Sequence, residues 1–245
     1  MRSARERCIR TATYRITAMN LLAIETATES CSAALLVGDR VYARSEIAPR
    51  RHAELLLPMC EEILAEAGVR RRDLDAVAVG RGPGAFTGVR LAISAAQGIA
   101  LALDIPVVPI SSLAALALQA PDNGADVLAV IDARMGEIYA GIFRRVDGRL
   151  EAVGEERVTT AASLQLPAAD AWNVIGTGWL SYRDAIAALL RAPPLWAEGE
   201  RYPQAADIAR LAAPIAAAGG GVAPDQALPV YLRDKVALTI AEQRR

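Results

Sequence analysis

Three short strand-like runs, residues 21–26, 31–37 and 40–47, follow one another across connections of only a few residues. Connections this short join antiparallel neighbours, so the chain opens on a hairpin meander. The pattern then predicts a helix over 53–67, a strand at 76–79, a glycine loop, a helix over 87–103 and a strand at 107–110. The resulting order is β-β-β-α-β-α-β.

The second half replays this order. Strand-like runs lie at 127–133, 137–143 and 150–158, and a run at 173–175 precedes the turn Gly176-Thr177-Gly178. Helices are expected near 179–190 and 204–218. Leu22-Ala-Ile-Glu-Thr-Ala27 parallels Leu128-Ala-Val-Ile-Asp-Ala133, as an internal duplication predicts. The Ala-, Pro- and Gly-rich residues 117–125 mark a junction and 216–224 a return. This divides the chain into a first lobe, 19–118, rejoined by 225–245, and a second lobe, 119–224.

At 245 residues and 53% hydrophobic, the chain can bury one large core or two small lobes. Its net charge of −1 argues against holding nucleic acid through its own field, which needs clustered Lys and Arg. Cys8, Cys31 and Cys60 are odd in number and widely spaced, a pattern of neither disulfide framework nor zinc site, and a reducing cytoplasm suits them. Residues 1–18 carry five arginines and one acid without a signal-length apolar stretch, and read as a disordered basic tail or a mis-assigned start. No later segment reads as a membrane span.

The segment Gly80-Arg-Gly-Pro-Gly-Ala-Phe-Thr-Gly88 sits between a strand and a helix, with Thr87 as the expected N-cap. With Arg81 and Arg90 nearby it reads either as an anion site at a helix start or, preferably, as a sharp turn that launches the helix. It is no Walker loop, because Lys235 is the only lysine in the chain.

In that second helix Val89, Ile93, Ala96, Ile99, Ala100 and Leu103 form one apolar face. The opposite side carries Leu91, Ser94, Ala95, Gly98, Leu101 and Ala102, leaving Arg90 and Gln97 as a narrow polar seam. Small residues there permit close approach of another helix, from a partner or from the same chain. The preceding helix is more conventional, with Leu56, Leu57, Met59, Cys60, Ile63 and Leu64 inward, Glu54, Glu61, Glu62 and Glu66 outward, and Pro58 in or near the first turn or at a bend.

Groups for chemistry are few. His52 is the only histidine and reads as a capping or surface residue. Glu25 and Asp132 end the first strands of the two halves, where an acid can hold a metal or water, or accept backbone hydrogen bonds. Asp39 and Asp147 sit in Gly-Asp and Asp-Gly turns.

Taken in order, residues 19–35, Arg51-His-Ala-Glu-Leu-Leu-Leu-Pro58, Gly80–Arg90, Ile131-Asp-Ala-Arg-Met-Gly-Glu137, Gly176-Thr-Gly-Trp179 and Tyr231-Leu-Arg233 resemble the TsaB (YeaZ) family of bacterial tRNA threonylcarbamoyladenosine biosynthesis proteins. The resemblance implies an α/β, actin-like (ribonuclease H-like) duplicated fold of two lobes, each with a mixed sheet and helices. It implies a cytoplasmic, non-catalytic subunit beside a catalytic paralogue, TsaD, and an ATPase, TsaE, transferring threonylcarbamoyl to N6 of the adenosine next to the tRNA anticodon. ATP and a metal would belong to those partners, and tRNA would be met only through the complex. Ser112 and Leu116 match the paralogue's paired metal-binding histidines. The first turn, Thr26-Ala-Thr-Glu-Ser30, is acidic where an actin-like ATPase cradles phosphate. Glu25, Asp132, Gly176 and Gly178 are then vestigial nucleotide-site candidates. Pairing of like lobes, in a homodimer or with TsaD, would use Leu91, Ser94, Ala95, Gly98, Leu101 and Ala102. The competing reading is an actin-like ATPase or small-molecule kinase built on Glu25 and Asp132. An independent metallopeptidase is disfavoured by the single histidine.

Overall fold

The computed structural model describes residues 19–233. The basic stretch 1–18, Cys8 and Lys235 lie outside the described residues. As the meander predicts, β1 (Asn20–Glu25), β2 (Ser30–Val37) and β3 (Arg40–Ile47) pair antiparallel, with Leu22 opposite Leu35. After α1 (His52–Ala67), β4 (Ala76–Gly80) lies parallel to β1; after α2 (Phe86–Leu103), β5 (Val107–Ile110) lies parallel to β4. The sheet order is β3-β2-β1-β4-β5.

A short helix, α3 (Ser112–Leu118), leads into the second half. Its seven residues are too few to show a period, although Ser111 caps it by accepting the Ala114 amide at 3.1 Å. There β6 (Asp126–Arg134), β7 (Glu137–Val146), β8 (Arg149–Ala152), β10 (Trp172–Ile175) and β11 (Trp196–Glu198) form a sheet in the order β8-β7-β6-β10-β11. Both sheets thus share one strand order. The strand expected over 150–158 is two, β8 and β9 (Arg157–Thr160), each pairing with β7. They are separated at Gly154, whose φ of +83° breaks an extended run. Helices α4 (Thr177–Ala187) and α5 (Ala205–Ala217) complete the half.

The last helix of each half packs on the sheet of the other. Leu113, Leu116 and Ala117 of α3 join Val127, Ala129, Ile131 and Phe143 in the core of the second sheet. Ala205, Ile208, Ala209 and Ala212 of α5 join Leu21, Ala23, Ala34, Leu36, Ala76 and Ala78 on the first. The division into 19–118 and 119–224 is therefore corrected on both sides: residues 205–217 pack on the first sheet and residues 112–118 on the second. The cause lies in the strands. One face of β1, β2 and β4 buries Leu22, Ile24, Leu35, Val77 and Val79 under α1 and α2, and the other face is also apolar and needs a cover. The small residues of α5 let it lie close on that second face. Beyond α5 the chain pairs Val222 with Val107 and buries Ala227 beside α2.

Ile208 is fully buried between α5 and the first sheet. Ile208→Ala should lower unfolding free energy by about 3 kcal/mol, the usual cost of a core cavity, in a chemical denaturation experiment. An effect on the order of only 0.5 kcal/mol, typical of surface positions, would contradict this packing.

Candidate functional site

From β4 the chain enters the glycine loop through a cis Gly82–Pro83 peptide and starts α2 at Phe86. Thr87 is not the N-cap. Ala85 holds that position, and its methyl offers no side-chain cap; the Ala85 amide donates to the Ala27 carbonyl at 2.7 Å. The Thr26 hydroxyl likewise donates to the Gly88 carbonyl at 2.7 Å. A Cβ on Gly80 would collide with the Glu25 carboxylate, on Gly84 with Ala27 and on Gly88 with the Thr26 carbonyl. These glycines therefore serve close backbone approach to the β1–β2 turn, as the turn reading expects. Arg81 faces Glu156 at 3.8 Å, while Arg90 stacks over Phe86 and donates to the Tyr231 hydroxyl at 2.5 Å.

The β1–β2 and β6–β7 turns, the start of α1 and residues 230–233 enclose a cleft of about 780 Å3. His52 lines it, but as the first residue of α1 and not as a cap: Arg51 is the N-cap, and the imidazole Nε2 donates to the Thr28 carbonyl at 2.9 Å. Asp132 also lines the cleft, accepting the Arg134 amide at 2.8 Å. Burial and then the Asp132 charge raise the pKa of Tyr182, whose hydroxyl stands 3.4 Å from that carboxylate. Arg134 and Met135 take left-handed φ values of 63° and 57°. They are held by Arg134 on Glu29 at 2.7 Å and by Arg233 on the Ala133 carbonyl at 3.1 Å and Glu137 at 2.5 Å. Sequence reasoning placed Tyr231 and Arg233 in a motif without a role. Their partners lie 96 or more residues away, so no local pattern signals them.

The other three nucleotide-site candidates do not share this cleft. Glu25 is fully buried; its carboxylate accepts the Ala27 amide and the Ser112 hydroxyl, each at 2.6 Å. Gly176 and Gly178 bring the start of α4 onto β6, where a Cβ on either would strike Val130. The four candidates are thus corrected to one cleft acid, one internal acid and two packing glycines. Ser112 is fully buried as Glu25's donor, and Leu116 lies in the second core. Burial pushes the thiols of Cys31 and Cys60 up to about 11 and about 12, so neither is a ready nucleophile.

The expected second face of α2 is open. Ser94, Gly98, Leu101 and Ala102 are exposed, Leu101 by 74%, and Leu91 and Ala95 are half-buried. No atom lies within 4 Å of a Cβ built on Gly98. The polar seam has a different use: Gln97 donates to the Ala227 carbonyl at 3.1 Å, so with Arg90 it fastens residues 227–231. On α1, Leu57 is exposed and not inward as expected, and Pro58 sits beyond the first turn of a continuous helix. The acidic face of α1 is paired, Glu61 with Arg71 and both Glu62 and Glu66 with Arg44. Contrary to the sequence expectation, α2 is long and apolar enough to cross a membrane by length and composition, with mean hydropathy 1.5. Its Val89, Ala92, Ile93, Ala96 and Ala100 are nevertheless packed into the first core.

Residues 41–177 match the family model described as TsaD: tRNA N6-adenosine threonylcarbamoyltransferase. Over 231 residues the chain is 41% identical to the tRNA threonylcarbamoyladenosine biosynthesis protein TsaB of Escherichia coli (strain K12), covering 89% of this chain and 96% of that protein. The chain belongs to the TsaB (YeaZ) family. A second TsaB relative, from Bacillus subtilis (strain 168), is 33% identical over 136 residues, covering 55% of this chain and 59% of its own. A solved structure, YeaZ from Pseudomonas aeruginosa, matches with a TM-score of 0.81 at 43% identity, covering 87% of this chain and all of that one. The two-lobed, actin-like α/β fold is thus that of the TsaB family.

Burial raises the Glu25 pKa above its ordinary 4.5, outweighing the Ser112 and backbone hydrogen bonds that lower it. The folded state therefore favours the neutral acid. Its contribution to stability is full below pH 4.5 and is lost as pH rises through the raised folded value. Glu25→Gln removes the charge; its Oε1 can still accept the Ala27 amide while its Nε2 donates to the Ser112 hydroxyl oxygen, reversing that bond. Thermal melts should show the variant more stable than wild type at pH 8, with the difference shrinking on acidification; a gap independent of pH would contradict a buried titrating acid.

Proposed function

We propose that this chain is a non-catalytic subunit in the transfer of threonylcarbamoyl to N6 of the adenosine next to the tRNA anticodon. In this reading it binds and stabilises the catalytic paralogue TsaD through the outer face of α2. The observation that carries it is the open stripe Ser94, Gly98, Leu101 and Ala102, apolar or small over two turns. A surface of this kind on a helix whose other side is already in the core suits a second helix pair. A like lobe, in TsaD or in a second copy, offers such a pair. Membership of the TsaB family and the match to the TsaD model support the pathway and the kinship with that partner.

The non-catalytic assignment draws on what occupies the key positions. Ser112 and Leu116, matched to the paralogue's metal-binding histidines, are spent on an internal hydrogen bond and a core. In the β1–β2 turn the Ala27 amide donates to the Glu25 carboxylate and the Ala27 carbonyl accepts the Ala85 amide of the glycine loop, so both are engaged within the protein. ATP and metal then belong to TsaD and TsaE, tRNA is met only in the complex, and the setting is the cytoplasm.

Gly98→Leu should fold normally, since the added side chain meets open space. Co-purified with TsaD, it should bind at least about 10-fold more weakly than wild type, roughly 1.4 kcal/mol. Undiminished association would reject this face as the interface. In the same preparation the isolated chain should not turn over ATP. Robust hydrolysis abolished by Asp132→Ala would instead favour an ATPase centred on the cleft.

A further inference from the structure

A second cavity, about 1220 Å3, shares no residue with the cleft or with the outer face of α2. It runs along the flank of α5 that points away from the first sheet. One wall is Gln204, Asp207, Leu211, Ile215 and Ala218, spaced three or four apart on one side of the helix. The facing wall is the end of α3, at Leu118 and Gln119, and the β7–β8 turn with Leu150. Fourteen steps along α5 make this groove about 21 Å long. That is the length of four helical turns and exceeds what a compact metabolite needs.

Its chemistry is polarised. Leu118, Leu150, Leu211 and Ile215 give an apolar floor that remains partly open, Ile215 by 43%. Around them stand Arg149, Arg201 and Arg210, against one lining acid, Asp207. Asp207 is itself buried and bound to Arg210 at 2.6 Å, and Arg201 pairs with Glu198 outside the groove. Arg149 has no carboxylate within 4.0 Å among the described residues, so the rim keeps an excess of positive charge. An apolar floor of helical length with a cationic rim complements a ridge of leucine-like side chains at i, i+3, i+4 and i+7 flanked by acids.

We propose that this groove docks an acidic amphipathic helix of a partner protein. The interaction is separate from the α2 face and does not depend on it. Two labelled peptides of about four turns, with leucines at those positions and either glutamate or lysine elsewhere, serve as probes for the full-length protein. Fluorescence anisotropy should show saturable binding of the glutamate peptide and none of the lysine peptide. Arg149→Glu and Ile215→Glu, both at exposed positions, should each weaken it at least 10-fold at unchanged melting temperature. Leu101→Glu on α2 should leave it intact. Absence of saturable binding, equal binding of the lysine peptide, or indifference to both groove substitutions would overturn the proposal.

Discussion

Where the β1–β2 turn meets the loop after β4, the Ala85 amide donates to the Ala27 carbonyl at 2.7 Å, and Gly84 and Gly88 leave no side chain between the two backbones. Two consequences follow from this one contact. It sets the angle at which α2 leaves the sheet, with Val89, Ile93, Ala96 and Ala100 down and Leu101 and Gly98 up. It also engages the Ala85 amide at the helix start within the protein, where an anion would otherwise draw on it. A loop whose composition suggests nucleotide binding becomes a bracket for a helix, and the helix becomes the surface.

The two lobes are held together by exchange. With α3 on the second sheet and α5 on the first, neither half closes its core without a helix from the other. Across the cleft the same union is reinforced by Arg134 on Glu29 and by Arg233 reaching the β6–β7 turn. The partly exposed pair contributes modestly, whereas the apolar exchange is the larger effect, since each fully buried Leu or Ile is worth about 2 kcal/mol. A cleft held this way suits a protein that presents fixed faces.

Those faces differ in kind. The α2 stripe is small and uncharged, suited to close helix approach, while the α5 groove is apolar at its floor and cationic at its rim. The fully buried acid Glu25 opens onto neither; it ties the end of β1 to the start of α3 beneath the glycine loop. Its charge is therefore a burden on the lobe junction.

By itself, the sequence determined the elements and their repetition. The meander, the two helices that follow, the second copy of the pattern and the second apolar face of α2 are all written in local period and small-residue spacing, although only the structure shows that this face is uncovered. Residue types alone also make the Gly80–Gly88 segment a place of close approach. What it approaches was decided only in three dimensions. The Ala27 carbonyl, the Ser112 hydroxyl against Glu25, the crossing of α5 to the first sheet and the clamp of Arg233 all join residues 50 to 180 positions apart. A helix's periodicity says which side is apolar but not which sheet will cover it, and an acid at a strand end does not say whether water or a serine will face it. Those choices depend on which surfaces meet when both halves pack, and no local pattern carries that information.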